Sequence, residues 1–162
     1  MQPFKLKLLD KEKDFKPFYN FIMRNTDHFR DYMEVVPSFD EVIKEFLLDV
    51  PPGIDIKNKE VYGIYREENL IGFLDILFNY PKIYTCMIGY LVIDQNYRKQ
   101  GIGQQVYNHA VAYVKGKDMR KIRLSVIREN EPAVRMWKKQ GFETIDEEVT
   151  EYGVQLMMEL RL

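Results

Sequence analysis

An arginine, a lysine and two glycines stand close together in Arg98-Lys99-Gln100-Gly101-Ile102-Gly103, the stretch of the chain best suited to chemistry. Gly101 and Gly103 carry no Cβ, so the backbone there can turn through positive φ and come close to a ligand. A helix opening at such a point adds N–H groups without intrahelical acceptors and the positive end of its dipole. With the charges of Arg98 and Lys99, that is the equipment of a phosphate site. A tight strand-to-helix turn that merely needs glycine is the competing reading. What flanks the stretch decides between them.

On the N-terminal side, residues 87–93 form an apolar run closed by Asp94-Gln95-Asn96, a strand and its turn. On the other side Ile102, Val106, Ala110 and Val114 recur every four residues, the spacing of an amphipathic helix. That helix is expected to end at Lys115-Gly116-Lys117, with glycine as its C-cap. A strand over Lys121–Ile127 follows, then a helix over 131–140 and a terminal strand with Val154, Leu156, Met158 and Leu160 on one face.

Upstream, Phe4, Leu6 and Leu8 alternate with lysines as in a strand, and a helix over 11–24 carries Phe15, Phe18, Tyr19 and Ile22 on one stripe. Asn25-Thr26-Asp27 breaks that helix, and residues 29–36 are ambiguous between helix and loop. Ser38 suits the N-cap of a helix burying Phe39, Val42, Ile43, Phe46 and Leu47. After Pro51-Pro52-Gly53 come strands over 60–66 and 70–78, a hairpin across Glu67-Glu68-Asn69. The predicted order is β-α-α-β-β-β-α-β-α-β in a single domain over 1–162. It describes an α/β protein of the α+β kind, with a mostly antiparallel mixed sheet, one parallel pair and helices on both faces. The parallel pair, 87–93 beside Lys121–Ile127, is joined by a right-handed crossover.

Composition removes several function classes. A net charge of −1 gives no electrostatic reason to expect nucleic acid. One cysteine excludes an internal disulfide framework, and with two histidines it argues against a zinc site, so no metal is expected. The first residues lack the apolar core of a signal peptide and no run is long enough to span a membrane, so the expected compartment is the cytoplasm. No third glycine completes Gly-x-Gly-x-x-Gly, and no Gly-Lys-Ser/Thr follows, so neither a dinucleotide fold nor a P-loop fits.

The segment from Tyr90 through Asp94-Gln95-Asn96-Tyr97 to Arg98-Lys99-Gln100-Gly101-Ile102-Gly103 resembles the pyrophosphate motif of the GNAT superfamily, the CoA-dependent N-acetyltransferases. That family places Arg/Gln-x-x-Gly-x-Gly/Ala between a strand and a long helix. A second stretch, Asn130-Glu131-Pro132-Ala133 through Trp137 to Gly141-Phe142, is similar to the family's Asn-x-x-Ala…aromatic…Gly-Phe signature. By their types alone these residues are also an N-cap, a first-turn proline, a core stripe of Ala133, Met136 and Trp137, and a C-terminal glycine. The two readings are compatible. The resemblance extends over the chain, though residues 1–80 match in topology and not in motif.

The resemblance implies a GNAT-like fold and an enzyme moving acetyl from acetyl-CoA, its cosubstrate, to a primary amine of a small molecule or protein. Arg98, Lys99, Gln100, Gly101, Ile102, Gly103 and Gln104 would hold the CoA pyrophosphate, chiefly through backbone N–H groups. Leu91, Val92 and Ile93 would pair with the pantetheine arm, with a β-bulge near Tyr90 or Leu91 and the two parallel strands diverging at their C-terminal ends. Asn130 would lie by the same arm and belong to the catalytic set. Two positions depart from the family pattern: Trp137 stands where many relatives carry an acidic tyrosine, and Ser125 where one subfamily places a glutamate base. Asp75 and Glu34 are candidate bases, each also readable as a solvated or turn-stabilising carboxylate. Cys86 reads as a buried thiol, His28 as a surface or loop residue and His109 as a helix-face residue. The departures keep a second reading open, a non-catalytic acyl-CoA-binding module. The oligomeric state is left open, a homodimer being one option.

Overall fold

A computed structural model describes residues 3–10, 12–26 and 38–162. The ambiguous stretch 29–36, with Glu34 and His28, lies outside them. The described elements are β1 (Lys5–Leu8), α1 (Phe15–Arg24), α2 (Phe39–Ile43), β2 (Lys59–Arg66), β3 (Asn69–Leu77), β4 (Thr85–Ile93), α3 (Ile102–Gly116), β5 (Lys121–Ile127), α4 (Glu131–Lys139), β6 (Glu143–Thr150) and β7 (Gly153–Arg161). The strands form one mixed sheet in the order β1-β2-β3-β4-β5-β7-β6. Backbone contacts group into two compact units, Met1–Ile76 with Tyr90–Asn108, and Leu77–Gly89 with His109–Leu162.

The first unit is built on an aromatic core. Phe73 of β3 meets Phe18 and Phe21 of α1 and Phe46 edge-on, with ring centroids 5.0, 5.9 and 6.0 Å apart. Phe21 was not on the expected stripe, yet it is fully buried beside Phe18 and Ile22. The apolar face of α1 is therefore wider than a four-residue stripe. β1 pairs antiparallel with β2, from Lys5↔Tyr65 to Leu8↔Tyr62. Its expected alternation fails at the end: Leu8 is 54% exposed, and Leu9 goes into the core instead. Ser38 caps α2 as expected, accepting from the Glu41 N–H at 3.2 Å and donating its hydroxyl to the Glu41 carboxylate. Phe39, expected inside, is 39% exposed and lies edge-on against Tyr19. Beyond Ile43 the helix widens into a π turn, Lys44–Leu48, closed by Asp49 N–H to the Lys44 carbonyl at 2.8 Å. That widening places Phe46 and Leu47 in the core.

The second unit holds the parallel pair. Thr85, Cys86 and Met87 pair with Lys121, Ile122 and Arg123, and among the described residues the parallel register covers only these N-terminal ends. β5 pairs with β7 along its whole length, Lys121↔Arg161 to Ile127↔Gln155. Sequence periodicity missed a strand here, because β6 is almost wholly exposed and shows no apolar alternation. It is an acidic edge strand, paired with β7 through a shift between Thr144 and Asp146. The glycine C-cap of α3 is also corrected. Gly116 is the last helical residue, and Asp118 takes the left-handed conformation at φ 64°. Met119 N–H reaches the Val114 carbonyl and Asp118 N–H the Lys115 carbonyl, a Schellman closure built on aspartate.

Candidate functional site

Two buried polar residues fix the approach to the glycine loop, and sequence reading had taken both as mere breakers. Asp94, at the end of β4, donates its N–H to the Ile71 carbonyl at 2.7 Å, closing β4 against β3. Its Oδ1 accepts from the Asn96 N–H at 2.9 Å and its Oδ2 from the Asn25 amide at 3.2 Å, with Arg24 Nε 3.7 Å away. Asn25, fully buried at the end of α1, also donates to the Phe21 carbonyl and accepts from the Gln95 N–H. The helix end and the turn 94–97 are thus one hydrogen-bonded piece. An Asp-x-Asn turn directly before the basic loop was the available signal. The partner Asn25 was not legible, since it lies 69 residues away in the chain.

The loop itself turns on two left-handed residues, Lys99 at φ 62° and Gly101 at φ 78°. For lysine that conformation is uncommon, so the loop shape is imposed by its surroundings. Arg98 donates from Nε to the Ile93 carbonyl at 2.9 Å, tying the loop back to the end of β4. Its Nη2 is buried and, among the described residues, has no hydrogen-bond partner. Gln100 accepts from Arg66 at 3.2 Å, and Arg66 lies over the Tyr97 ring. α3 makes its first intrahelical bond from Gln105 N–H to the Gly101 carbonyl. The N–H groups of Ile102 and Gly103, which precede it, therefore have no acceptor within the helix. Gly103 lies inside α3 with helical φ, and a Cβ there would meet only Ile93 Cγ1, at 3.8 Å. Packing within the protein does not demand glycine at that place.

Leu91, Val92 and Ile93 lie on β4 past its last pair with β5. β4 is the middle strand of seven, yet its burial changes along its length. Thr85, Cys86 and Ile88 are buried, whereas Gly89 is exposed and Tyr90, Leu91 and Ile93 are half-buried. On the other flank β3 comes unusually close: a Cβ on Gly72 would stand 2.4 Å from the Val92 carbonyl oxygen. The first unit thus brings Leu91, Val92, Ile93 and residues 98–104 onto one strand–turn–helix segment. A groove of about 660 Å³ opens nearby, lined by Arg24, Tyr65, Asp94 and Tyr97 among others, but it includes none of those ten residues.

Asn130 belongs to the second unit, where it caps α4: its Oδ1 accepts from the Ala133 N–H at 3.4 Å. Gly141 ends that helix at φ 102°. The expected core stripe of Ala133, Met136 and Trp137 does not exist, because no residue of α4 is buried and Met136 is 44% exposed. Trp137 is half-buried, with its ring edge-on to Phe142 at 5.4 Å. Ser125 is exposed and near Met157. Cys86 is the buried thiol expected, and burial pushes it up to about 12. His109 is exposed on α3.

This strand–turn–helix geometry defines a class of protein, and comparison with known proteins gives the same class. Residues 22–142 match the Acetyltransferase (GNAT) family, and the chain belongs to it, in the class of acetyl-CoA-dependent N-acetyltransferases. Solved structures share the fold over nearly the full length. An acetyltransferase from Thermus thermophilus is 18% identical with a TM-score of 0.80, covering 98% of this chain and 97% of that one. A spermidine N-acetyltransferase from Vibrio cholerae, in complex with CoA and spermine, is 21% identical with a TM-score of 0.74, over 98% and 95%. The PaiA N-acetyltransferase of Thermoplasma acidophilum, in complex with coenzyme A, is 20% identical with a TM-score of 0.70, over 99% of each chain. No curated protein sequence matches the chain. Among the described residues, no helix is long and apolar enough to cross a membrane.

Proposed function

We propose that this protein transfers the acetyl group of acetyl-CoA to a primary amine, with the cosubstrate's pyrophosphate held at Arg98–Gln104. The observation that carries the reading is that the loop keeps donors and space its own packing does not use. Among the described residues, Arg98 Nη2 is buried without a partner and nothing fills the place of a Cβ on Gly103. A pyrophosphate supplies acceptors for the first and occupies the second. Leu91, Val92 and Ile93 would lay their main chain along the pantetheine arm, and one of their N–H groups would donate to the thioester oxygen as negative charge gathers there. The role of Asn130 is carried by the family motif alone. Trp137 cannot act as an acid, since indole N–H only donates a hydrogen bond. A thiol of pKa about 8.5 leaves adequately without one. The Vibrio cholerae relative holds spermine, which makes polyamines the first acceptors to try.

Calorimetric titration of acetyl-CoA tests the site. Gly101→Val should abolish binding, because φ 78° is closed to a β-branched residue and the side chain fills the cradle. Arg98→Ala should weaken binding by about 1–2 kcal/mol, as one charge-assisted contact goes while the backbone donors remain. Equal affinity for wild type and a folded Gly101→Val would refute the assignment. Binding without turnover of any primary amine in a broad panel would leave an acyl-CoA-binding module instead.

A further inference from the structure

The first unit contains an ion pair that the cofactor loop does not use. Lys59 of β2 and Asp75 of β3 are 9% and 8% exposed at their side chains, with Lys59 Nζ 3.3 Å from Asp75 Oδ2. Lys59 also donates to the Asp49 carbonyl at 3.2 Å, so the ammonium is held from two sides. The carboxylate is not: Asp75 Oδ1 is buried and, among the described residues, has no hydrogen-bond partner. A buried ion pair contributes little stability even when complete, and an oxygen left bare inside it makes matters worse. A purely structural role would be served better by two apolar side chains.

Position gives the bare oxygen a use. Asp75 and Phe73 are two apart on β3 and share one face of the sheet. The Phe73 ring lies 5.8 Å from that of Tyr90, the residue directly before Leu91. Counting back antiparallel from the bond between the Asp94 N–H and the Ile71 carbonyl puts Asp75 opposite Tyr90, one residue before Leu91. With the pyrophosphate at Arg98–Gln104, the arm proposed along Ile93, Val92 and Leu91 has its reacting end at Leu91, so the carboxylate stands on the sheet one residue beyond that end.

We infer that Asp75 receives the acceptor amine, its Oδ1 taking a hydrogen bond from the amine nitrogen and then the proton that nitrogen loses, while Lys59 holds Oδ2. The inference rests on the acetyl-transfer reading above. In the step, a bond forms between the amine nitrogen and the acetyl carbonyl carbon, and the C–S bond breaks. The electron pair leaves on sulfur as the CoA thiolate, and the amine proton goes to Asp75 Oδ1. Burial raises Asp75 above the ordinary carboxylate range and Lys59 pulls it part of the way back, which brings its basicity nearer to working pH. Titratable groups stand on each neighbouring element: Glu60 beside Lys59 on β2, Lys44, Glu45 and Asp49 in or just after the π turn, and Tyr90 on β4. Among the described residues, Lys59 is the one whose charge acts on Asp75.

The test is steady-state release of CoA thiol by the full chain with acetyl-CoA and n-butylamine, spermidine or an alanyl peptide. Acetyl-CoA affinity is measured alongside. Asp75→Asn should keep that affinity and lose about 100-fold or more in kcat, the usual scale of a general base. Lys59→Met should move the acid limb of kcat/KM to higher pH, since the cation that favours ionised Asp75 is gone. Asp75→Asn turning over like wild type, or a limb that stays in place in Lys59→Met, overturns the inference. If either variant fails to fold, wild type crystallised with CoA and N-butylacetamide decides. The amide nitrogen should lie within about 3.5 Å of Asp75 Oδ1, and a separation no single water can bridge overturns it. Wild type that binds acetyl-CoA but acetylates none of the three amines, nor any other primary amine of a broad panel, refutes the transfer reading itself.

Discussion

Two regions of the first unit each bury an aspartate, and they treat it in opposite ways. At the turn before the glycine loop, Asp94 is 4% exposed and both its oxygens accept hydrogen bonds. At the far end of β3, Asp75 is 6% exposed and, among the described residues, one of its oxygens has no donor. A satisfied buried network fixes geometry, and here it locks the end of α1 to the turn that aims the loop. An unsatisfied one leaves an acceptor open to an incoming donor. The contrast sets a residue that shapes the turn apart from the one proposed above to receive the amine.

The largest expected effect comes from removing the partner of Asp75. Lys59→Met leaves Asp75 buried with no counter-charge and should destabilise the fold by about 3 kcal/mol or more at neutral pH. Asp94→Asn comes next. It keeps the acceptor for the Asn96 N–H but turns an amide donor toward the Asn25 amide donor, for a loss of about 2–3 kcal/mol. Asp75→Asn should be milder, about 1–2 kcal/mol: Lys59 loses its counter-charge but still donates to the Asp49 carbonyl and to the new amide oxygen. Urea unfolding of the three variants checks the order. Equal losses for Asp94→Asn and Asp75→Asn would break the contrast.

How far each region could be read from sequence follows the same division. The strand, glycine turn and helix around Arg98–Gly103 were legible because their signals are local: an apolar run, a turn, and a four-residue period whose members Ile102, Val106, Ala110 and Val114 are all buried. The Asn25–Asp94 lock and the Lys59–Asp75 pair were not, because each joins residues far apart in sequence through polar side chains that have no period. β6 escaped for a different reason, being an edge strand with no buried face. Trp137 was expected inside by residue type, but α4 rests on the sheet without burying any side chain completely. Asp118 capping α3 in place of Gly116 was likewise invisible, since aspartate enters the left-handed region less often than glycine.

Acid titration sharpens the contrast without a large loss. Burial raises Asp75 despite Lys59, so the folded state binds that proton more tightly than the unfolded chain does. Its contribution therefore falls as pH rises from the ordinary aspartate value of 3.8 through the folded value, and stays low above it. Glu159 of β7 runs the other way. Desolvation pushes it up, but hydrogen bonds from Arg123 at 2.7 Å and from Lys121 outweigh that and leave it lowered. Its contribution is present above 4.5 and is lost as pH falls through the folded value. Stability measured against pH for Asp75→Asn and Glu159→Gln should differ from wild type with slopes of opposite sign. Parallel slopes would mean that Asp75 is stabilised as an anion, which would remove a reason to propose it as the residue that receives the amine.

The smallest expected effect is also the most discriminating for the loop. Glycine within a helix is less favourable than alanine, and a Cβ on Gly103 would make only an ordinary contact with Ile93 Cγ1 at 3.8 Å. If the protein's own packing were the whole account of this residue, Gly103→Ala would be a mild improvement, about 0.5 kcal/mol in the first turn of α3. If the open space serves a pyrophosphate lying against the Ile102 and Gly103 N–H groups, the same methyl group should raise stability and weaken acetyl-CoA binding together. Thermal unfolding of the unliganded chain and calorimetry with acetyl-CoA read the two quantities separately. A variant that gains stability with unchanged affinity would move the cofactor away from α3. One that loses both would show that glycine serves the fold at this position after all.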